Sequence, residues 1–208
     1  MIPPPRKAAV YKRNFNFLAD RISRFNAAYH LQFIEYCWRL NARLVRTTRS
    51  LMNRTLMVEL ASIVELVLND VLSSLKVSGH GLNTRPIHIP IYLTLDKLID
   101  LARYYDLLND ALAEDLRDLN TARNSIHFKK FNKARVLEHD YYRDAMVHKA
   151  IQTFEAFLNA IHNKIHPHRK PNFVYPWSTS NTECRTQGSE ICHTPGGPDR
   201  SVSGISEF

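Results

Sequence analysis

Glycine is scarce in this chain. Six occur in 208 residues, and only Gly79 and Gly81 precede residue 188. So few backbone-permissive positions argue against a turn-rich β architecture and for long helices. Cysteine is scarcer still: Cys37 falls in a helical pattern, and Cys184 and Cys192 fall in a Gly/Pro/Ser-rich tail. An odd count at such spacing excludes a disulfide framework and fits a reducing compartment. The opening residues MIPPPRKAAVYKRNFNF contain no apolar run that would serve as a secretory leader. The most apolar stretch, Leu56–Leu75, is interrupted by Glu59, Glu65 and Asp70, so it reads as a buried helix and not as a membrane span. A cytoplasmic protein without membrane attachment is expected. A Gly-rich phosphate loop, a nucleophile elbow and internal repeats are all missing, which sets aside P-loop, α/β-hydrolase and solenoid readings.

Acidic residues are nearly absent from the first quarter. Residues 1–50 hold ten Lys/Arg against two Asp/Glu, whereas residues 51–165 hold fourteen of each and residues 166–208 four of each. The whole net charge of +8 therefore lies in residues 1–50. Such asymmetry suits a polyanion or an acidic protein surface, and equally a solvated basic face.

Apolar content of 44% is enough to build a core. Pro3, Pro4 and Pro5 predict a disordered segment over 1–12. From Asn14 to Arg49 the pattern is helical, with Phe17, Leu18, Ile22 and Phe25 in one apolar stripe. Phe33, Ile34, Cys37, Trp38, Leu40 and Leu44 form a second. Arg39, Arg43 and Arg46 line up at four and three residues and predict a basic ridge, either a phosphate-contacting surface or the wet face of a buried helix. Ser50–Lys76 is the longest predicted helix, and its broad apolar face implies more than one neighbouring helix. Glu65 within it reads most simply as exposed; if enclosed, it needs a partner, with Arg123 or His127 the candidates.

The segment 77–92, with Gly79, Gly81, Pro86 and Pro90, reads as a connection carrying His80 and His88, long enough to fold over a site as a flap. Thr94 then caps a helix with Leu95, Leu98, Ile99, Ala102 and Tyr105 on its buried face. Asp106–Asn109 turns the chain, and Asp110 is the expected cap of the next helix. The last helix spans His139–His166, with Tyr142, Met146, Ala150, Phe154, Phe157, Leu158 and Ile161 on one side. His162, His166 and His168 near its end read as a basic helix C-terminus or, less simply, as metal ligands. The tail 167–208 has no period and is expected to be disordered.

The stretch Asp115–His127, DLRDLNTARNSIH, carries the candidate chemistry. Leu112, Leu116 and Leu119 mark a helix face that leads to Arg123, Asn124 and His127. Arg123 and His127 are four apart and share one side of a helix. A fixed cation beside a group that titrates near neutrality suits phosphate chemistry. The alternative is an Arg and a His stabilising the negative end of the helix. Beyond them, FKKFNKAR supplies Lys129, Lys130 and Lys133 with Phe128 and Phe131, a basic-aromatic segment able to hold phosphates and stack a base. Its other reading is a loop with two core phenylalanines.

Two stretches, Leu56–Leu75 (LMVELASIVELVLNDVLSSL) and Thr94–Phe128 (TLDKLIDLARYYDLLNDALAEDLRDLNTARNSIHF), resemble the HEPN family of helical domains. The likeness covers roughly Arg49–Ile165, and its specific part is Arg123-Asn124-Ser125-Ile126-His127. Three residues separate Arg123 from His127, one fewer than is usual in the family. The resemblance implies a metal-independent endoribonuclease, of the kind found in toxin or defence systems, that needs no cofactor and is paired as a homodimer. It implies His127 as the proton-transfer group, Arg123 as the stabiliser of phosphoryl charge and Asn124 as an orienting residue. Lys129, Lys130, Lys133, Arg39, Arg43 and Arg46 are the candidate RNA contacts. A non-catalytic nucleic-acid- or protein-binding regulatory module of the same architecture is the alternative, with an antitoxin or other regulatory protein as partner.

The expected fold is therefore all-α: an antiparallel bundle of four to five helices over 13–166, with a basic N-terminal helix (14–49), a core (50–166) and a disordered tail.

Overall fold

A computed structural model describes residues 4–78, 93–125 and 141–178; for Arg46 and for 76–78 only the backbone is described. Among these residues there are six helices and no strands: α1 (Ala8–Lys12), α2 (Arg21–Asn41), α3 (Arg46–Ser78), α4 (Leu95–Tyr104), α5 (Asp110–Asn124) and α6 (Asp144–Ile165). A 3-10 turn, Arg13–Phe15, follows α1. All of them lie in one unit ending at Ser178.

The central element is α3. Leu60, Ala61, Ile63, Val64, Val67 and Leu68 are fully buried, and the helix packs on α2, α4, α5 and α6. A helix apolar around most of its circumference must sit inside others. α2 runs antiparallel to it. The Asp70 carboxylate accepts from the Ala19 and Asp20 N–H groups at 2.8 and 2.9 Å, His30 meets Glu59 at 2.5 Å, and Asn41 donates to Asn53 at 2.6 Å. α4 and α5 are likewise antiparallel, tied by Asp100–Arg117 at 2.5 Å and Asp96–Asn120 at 2.7 Å. α6 runs antiparallel to α5 and parallel to α3: Lys149 reaches Asp118 at 2.7 Å, and Asn53 reaches Asp144 at 2.9 Å.

The α4–α5 corner shows local chemistry fixing a turn. The N–H groups of Leu107 and Asp106 close onto the carbonyls of Ala102 and Arg103 at 2.8 and 3.0 Å. This Schellman arrangement places Asp106 at φ 57, left-handed backbone that an aspartate tolerates better than most side chains. The cap of α5 is Asn109, whose side chain accepts from the Leu112 N–H at 2.8 Å, one residue before the expected Asp110.

Three further expectations are corrected. The helical reading of Asn14–Arg49 breaks twice. Asp20 caps α2 by accepting from Ser23 at 2.7 Å, and the chain turns at 42–45 before α3 begins at Arg46. Residues 4–12 are not structureless. Tyr11 of α1 and Phe15 after it are fully buried, and Arg6 is bonded to Glu35 of α2. The tail does not leave the core at 167 either. Residues 171–178 cross back over the bundle, and Phe173, Val174, Tyr175 and Trp177 pack on its core. The Asn14 amide holds that strap by donating to the Val174 carbonyl at 2.6 Å and accepting from its N–H at 2.9 Å. The last helix begins at Asp144, whereas His139 and Asp140 lie outside the described residues, as does the rest of the tail from 179.

Candidate functional site

The end of α5 is built from three helices. Leu112, Leu116 and Leu119 bury one face of α5, which fixes the rotation of its last turn and brings Arg123 to the surface beside α3. There its guanidinium Nη1 donates to the Glu65 carboxylate, with side chains 29% and 33% exposed. Glu65 is thus paired, and with one of the two partners its sequence position made available. Asn124, the last residue of α5, is exposed. The final carbonyls of the helix are satisfied from within: the Tyr142 hydroxyl donates to the Ala122 carbonyl at 3.0 Å, and Ser125 Oγ donates to the Thr121 carbonyl at 2.6 Å. Asn53 in turn donates to the Tyr142 carbonyl at 3.0 Å, so the helix end is braced through α3.

Below this end, between α5 and α6, lies a cleft of about 270 Å³ lined by Asp115, Asp118, Thr121, Tyr141 and Lys149 among others. Lys149 reaches Asp118 at 2.7 Å and Asp115 at 3.1 Å. Those hydrogen bonds, first from Asp118 and then from Asp115, raise its pKa and keep the amine charged. Sequence reasoning missed this triad, although the acids of α5 recur at three residues on one face.

His127, Lys129, Lys130 and Lys133 lie outside the described residues, as do His80, His88, Phe128, Phe131, Cys184 and Cys192. The expected ridge of Arg39, Arg43 and Arg46 does not form on one helix, because the chain turns between the first and the last. Arg39 faces inward: its Nη2 donates to the fully buried Glu35 at 2.5 Å and its Nη1 to the Pro4 carbonyl at 3.1 Å. Arg43 is exposed in the corner after α2, and Arg46 opens α3. Arg49 approaches Asp144 at 3.5 Å. Arg123 is therefore brought together with Glu65, Asn124 next to it in sequence is exposed, and the basic N-terminal residues are dispersed.

His162 of α6 and His166, which caps that helix, meet edge to face at 5.5 Å, with Phe17 and Phe173 around His162. Among the described residues no group of three or more His, Cys, Asp or Glu side chains is placed to hold a metal ion. Among them too, no helix is long and apolar enough to cross a membrane.

Comparison with family models, with curated proteins and with solved structures finds no match to this chain. The functional reading accordingly rests on the geometry at the end of α5.

Proposed function

We propose that the chain is a HEPN-type, metal-independent endoribonuclease that acts on cytoplasmic RNA as a homodimer. The observation that carries this reading is the Glu65–Arg123 pair. It joins the two stretches in which the family resemblance lies, and it holds a guanidinium in place beside an exposed Asn124 at the head of the segment leading to His127. In the reaction a ribose 2′-hydroxyl attacks the adjacent phosphorus, the 5′-oxygen leaves, and a 2′,3′-cyclic phosphate results. His127 moves the proton. Arg123 stabilises charge on the phosphoryl oxygens, a role in which an anchored cation needs no reorganisation. Asn124 orients the phosphate. Lys129, Lys130 and Lys133 hold the flanking backbone. DNA, lacking the 2′-hydroxyl, is not cut. An antitoxin-like protein would act by covering this end of α5.

A second reading is a non-catalytic binding module of the same architecture. It is favoured by the charge balance of the site, where Glu65 answers Arg123 and two aspartates outnumber Lys149 in the neighbouring cleft. The experiment that separates them is incubation of single-stranded RNA with purified protein in EDTA, alongside His127→Ala and Arg123→Ala. Cyclic-phosphate ends from the unmodified protein, reduced about a hundredfold or more in His127→Ala, support the nuclease. Intact RNA in every reaction supports the binding module.

A further inference from the structure

The outer face of α2 carries an apolar seam with nothing packed on it among the described residues. Ile22, Tyr29, Phe33 and Tyr36 are 68, 59, 44 and 44% exposed. With exposed Asn26 and half-buried Leu40 they follow the order 22, 26, 29, 33, 36, 40, alternating steps of four and three. That is the spacing with which one helix presents a seam to another, and a single polar residue in such a seam, here Asn26, fixes register. The opposite side of the same helix is already committed to the core through Ala27, Ala28, Leu31 and Ile34. Scattered exposed apolar residues are ordinary on a protein surface; a contiguous stripe over five turns of one helix marks an interaction site.

The charges around the seam identify its occupant. Both acids of residues 1–50 are used internally: Asp20 caps α2, and Glu35 is buried beneath Arg6 and Arg39. Cations frame the two ends. Arg21 is exposed at the start, Lys12 lies 4.0 Å from the centre of the Phe25 ring, and Arg43 is exposed beyond the far end. A second copy of this helix would set Arg21 against Arg21 in a parallel pairing and against Arg43 in an antiparallel one, so self-pairing opposes like charges either way. A nucleic acid fits no better. Residues 25–38 contain no Lys or Arg, so a phosphate backbone laid along the seam would pass about 20 Å without a cation.

We propose that the outer face of α2 is a docking site for an amphipathic helix of a partner protein, apolar along the seam and acidic at both ends. The complementary helix lays its apolar residues between Tyr29, Phe33 and Tyr36 and directs carboxylates to Arg21 and Arg43. Apart from Arg43, which the sequence also offers as an RNA contact, this surface uses none of the residues assigned to RNA cleavage, and it takes nothing from the end of α5, so it stands or falls independently of that activity.

The test is fluorescence anisotropy with full-length protein and a labelled synthetic helix of about three heptads, with Leu at the seam positions and Glu at the flanking ones. Saturable binding is expected. A peptide carrying Lys in place of Glu should bind about tenfold more weakly or worse, as should the acidic peptide to Phe33→Glu. Tyr29→Glu serves as a second, independent variant, and far-UV circular dichroism checks that both fold. A single-stranded RNA oligomer should leave the bound peptide in place. Four results overturn the proposal: the acidic peptide fails to bind, it binds both folded variants undiminished, RNA displaces it, or light scattering shows a dimer that Phe33→Glu dissociates.

Discussion

Arg6 and Glu35 are joined at two points: the Arg6 backbone N–H donates to Glu35 Oε2 at 2.6 Å, and its guanidinium Nε donates to Oε1 at 3.0 Å. The same guanidinium reaches on to the Tyr175 and Pro176 carbonyls at 3.0 and 3.3 Å, while Arg39 closes on Glu35 from the next turn of α2. One fully buried carboxylate thus ties the start of the chain, α2 and the strap over the core. Removing it leaves two guanidinium groups half-buried without their counter-charge. Glu35→Ala is expected to cost about 3–5 kcal/mol of unfolding free energy, measured by urea denaturation. A loss below about 1 kcal/mol, the range of a surface pair, would show that the network adds little to stability.

Glu35 also sets an acid limit. Burial alone would raise its pKa, but the hydrogen bond from the Arg6 N–H, then the Tyr11 hydroxyl and the Arg6 side chain, together outweigh burial and hold it below the ordinary 4.5. A carboxylate depressed in the folded state contributes stability that is present above its unfolded pKa and is lost as pH falls through the folded one. The melting temperature should therefore fall between about pH 5 and pH 3, and Glu35→Gln should flatten that fall. An unchanged slope in Glu35→Gln would assign the acid sensitivity to other carboxylates.

His162 acts in a different window. Desolvation among Phe17, His166 and Phe173, then the charges of His166 and Arg169, lower its pKa from 6.5. The unfolded chain binds this proton more readily, so the contribution is present above pH 6.5 and is lost as pH falls through the depressed value. Replacing His162 with Phe, which keeps the ring contacts and removes the charge, should lessen the drop in melting temperature between about pH 7 and pH 5. The same drop in both proteins would rule out His162 as its source.

What the sequence discloses follows from what is local. The periodicities of Leu56–Leu75, Leu95–Ala102, Leu112–Leu119 and Met146–Ile161 are each read along a single helix, and each buries the expected side. The 42–45 corner carries no Gly or Pro to announce it, and the helix stops where the Asn41 amide turns to Asn53, a partner twelve residues away. Phe33 reads as core because α2 is apolar on two sides, and periodicity does not say which side meets α3. Tyr11, Phe15 and Leu18 recur at four and three just after the prolines, a signal outweighed by Pro3–Pro5 yet decisive in packing. The Glu65–Arg123 pair spans 58 residues of sequence and exists only once α3 and α5 are packed.

The strap over residues 171–178 should behave as part of the domain. Trp177 stacks on Tyr175 at 5.4 Å, meets Trp38 and Phe154 edge-on, and donates through Nε1 to Glu155 at 2.5 Å. Trp177→Ala removes these ring contacts and leaves Glu155 without that donor. The expected cost is about 2–4 kcal/mol, with truncation after Ser178 leaving the melting temperature nearly unchanged. A truncation that destabilises more than Trp177→Ala would place further stabilising contacts in residues 179–208.

Glu65 is the residue at which stability separates from the proposed catalysis. Its pair with Arg123 is about one-third exposed on each side, so in stability it should count for about 1 kcal/mol or less. If Arg123 meets the phosphate, Glu65 works through it as a positioning residue, and the loss on Glu65→Gln appears in chemistry and not in folding. The expected result is a kcat about tenfold lower with KM nearly unchanged, while Arg123→Gln abolishes cleavage. In the double variant the Glu65 substitution should have no further effect on rate, because the group it positions is gone. A purely structural pair behaves otherwise: either single substitution lowers the melting temperature, and any cleavage by the folded protein persists with its kcat intact. Cleavage retained in folded Arg123→Gln would remove Arg123 from the reaction and with it the assignment of the site to the end of α5.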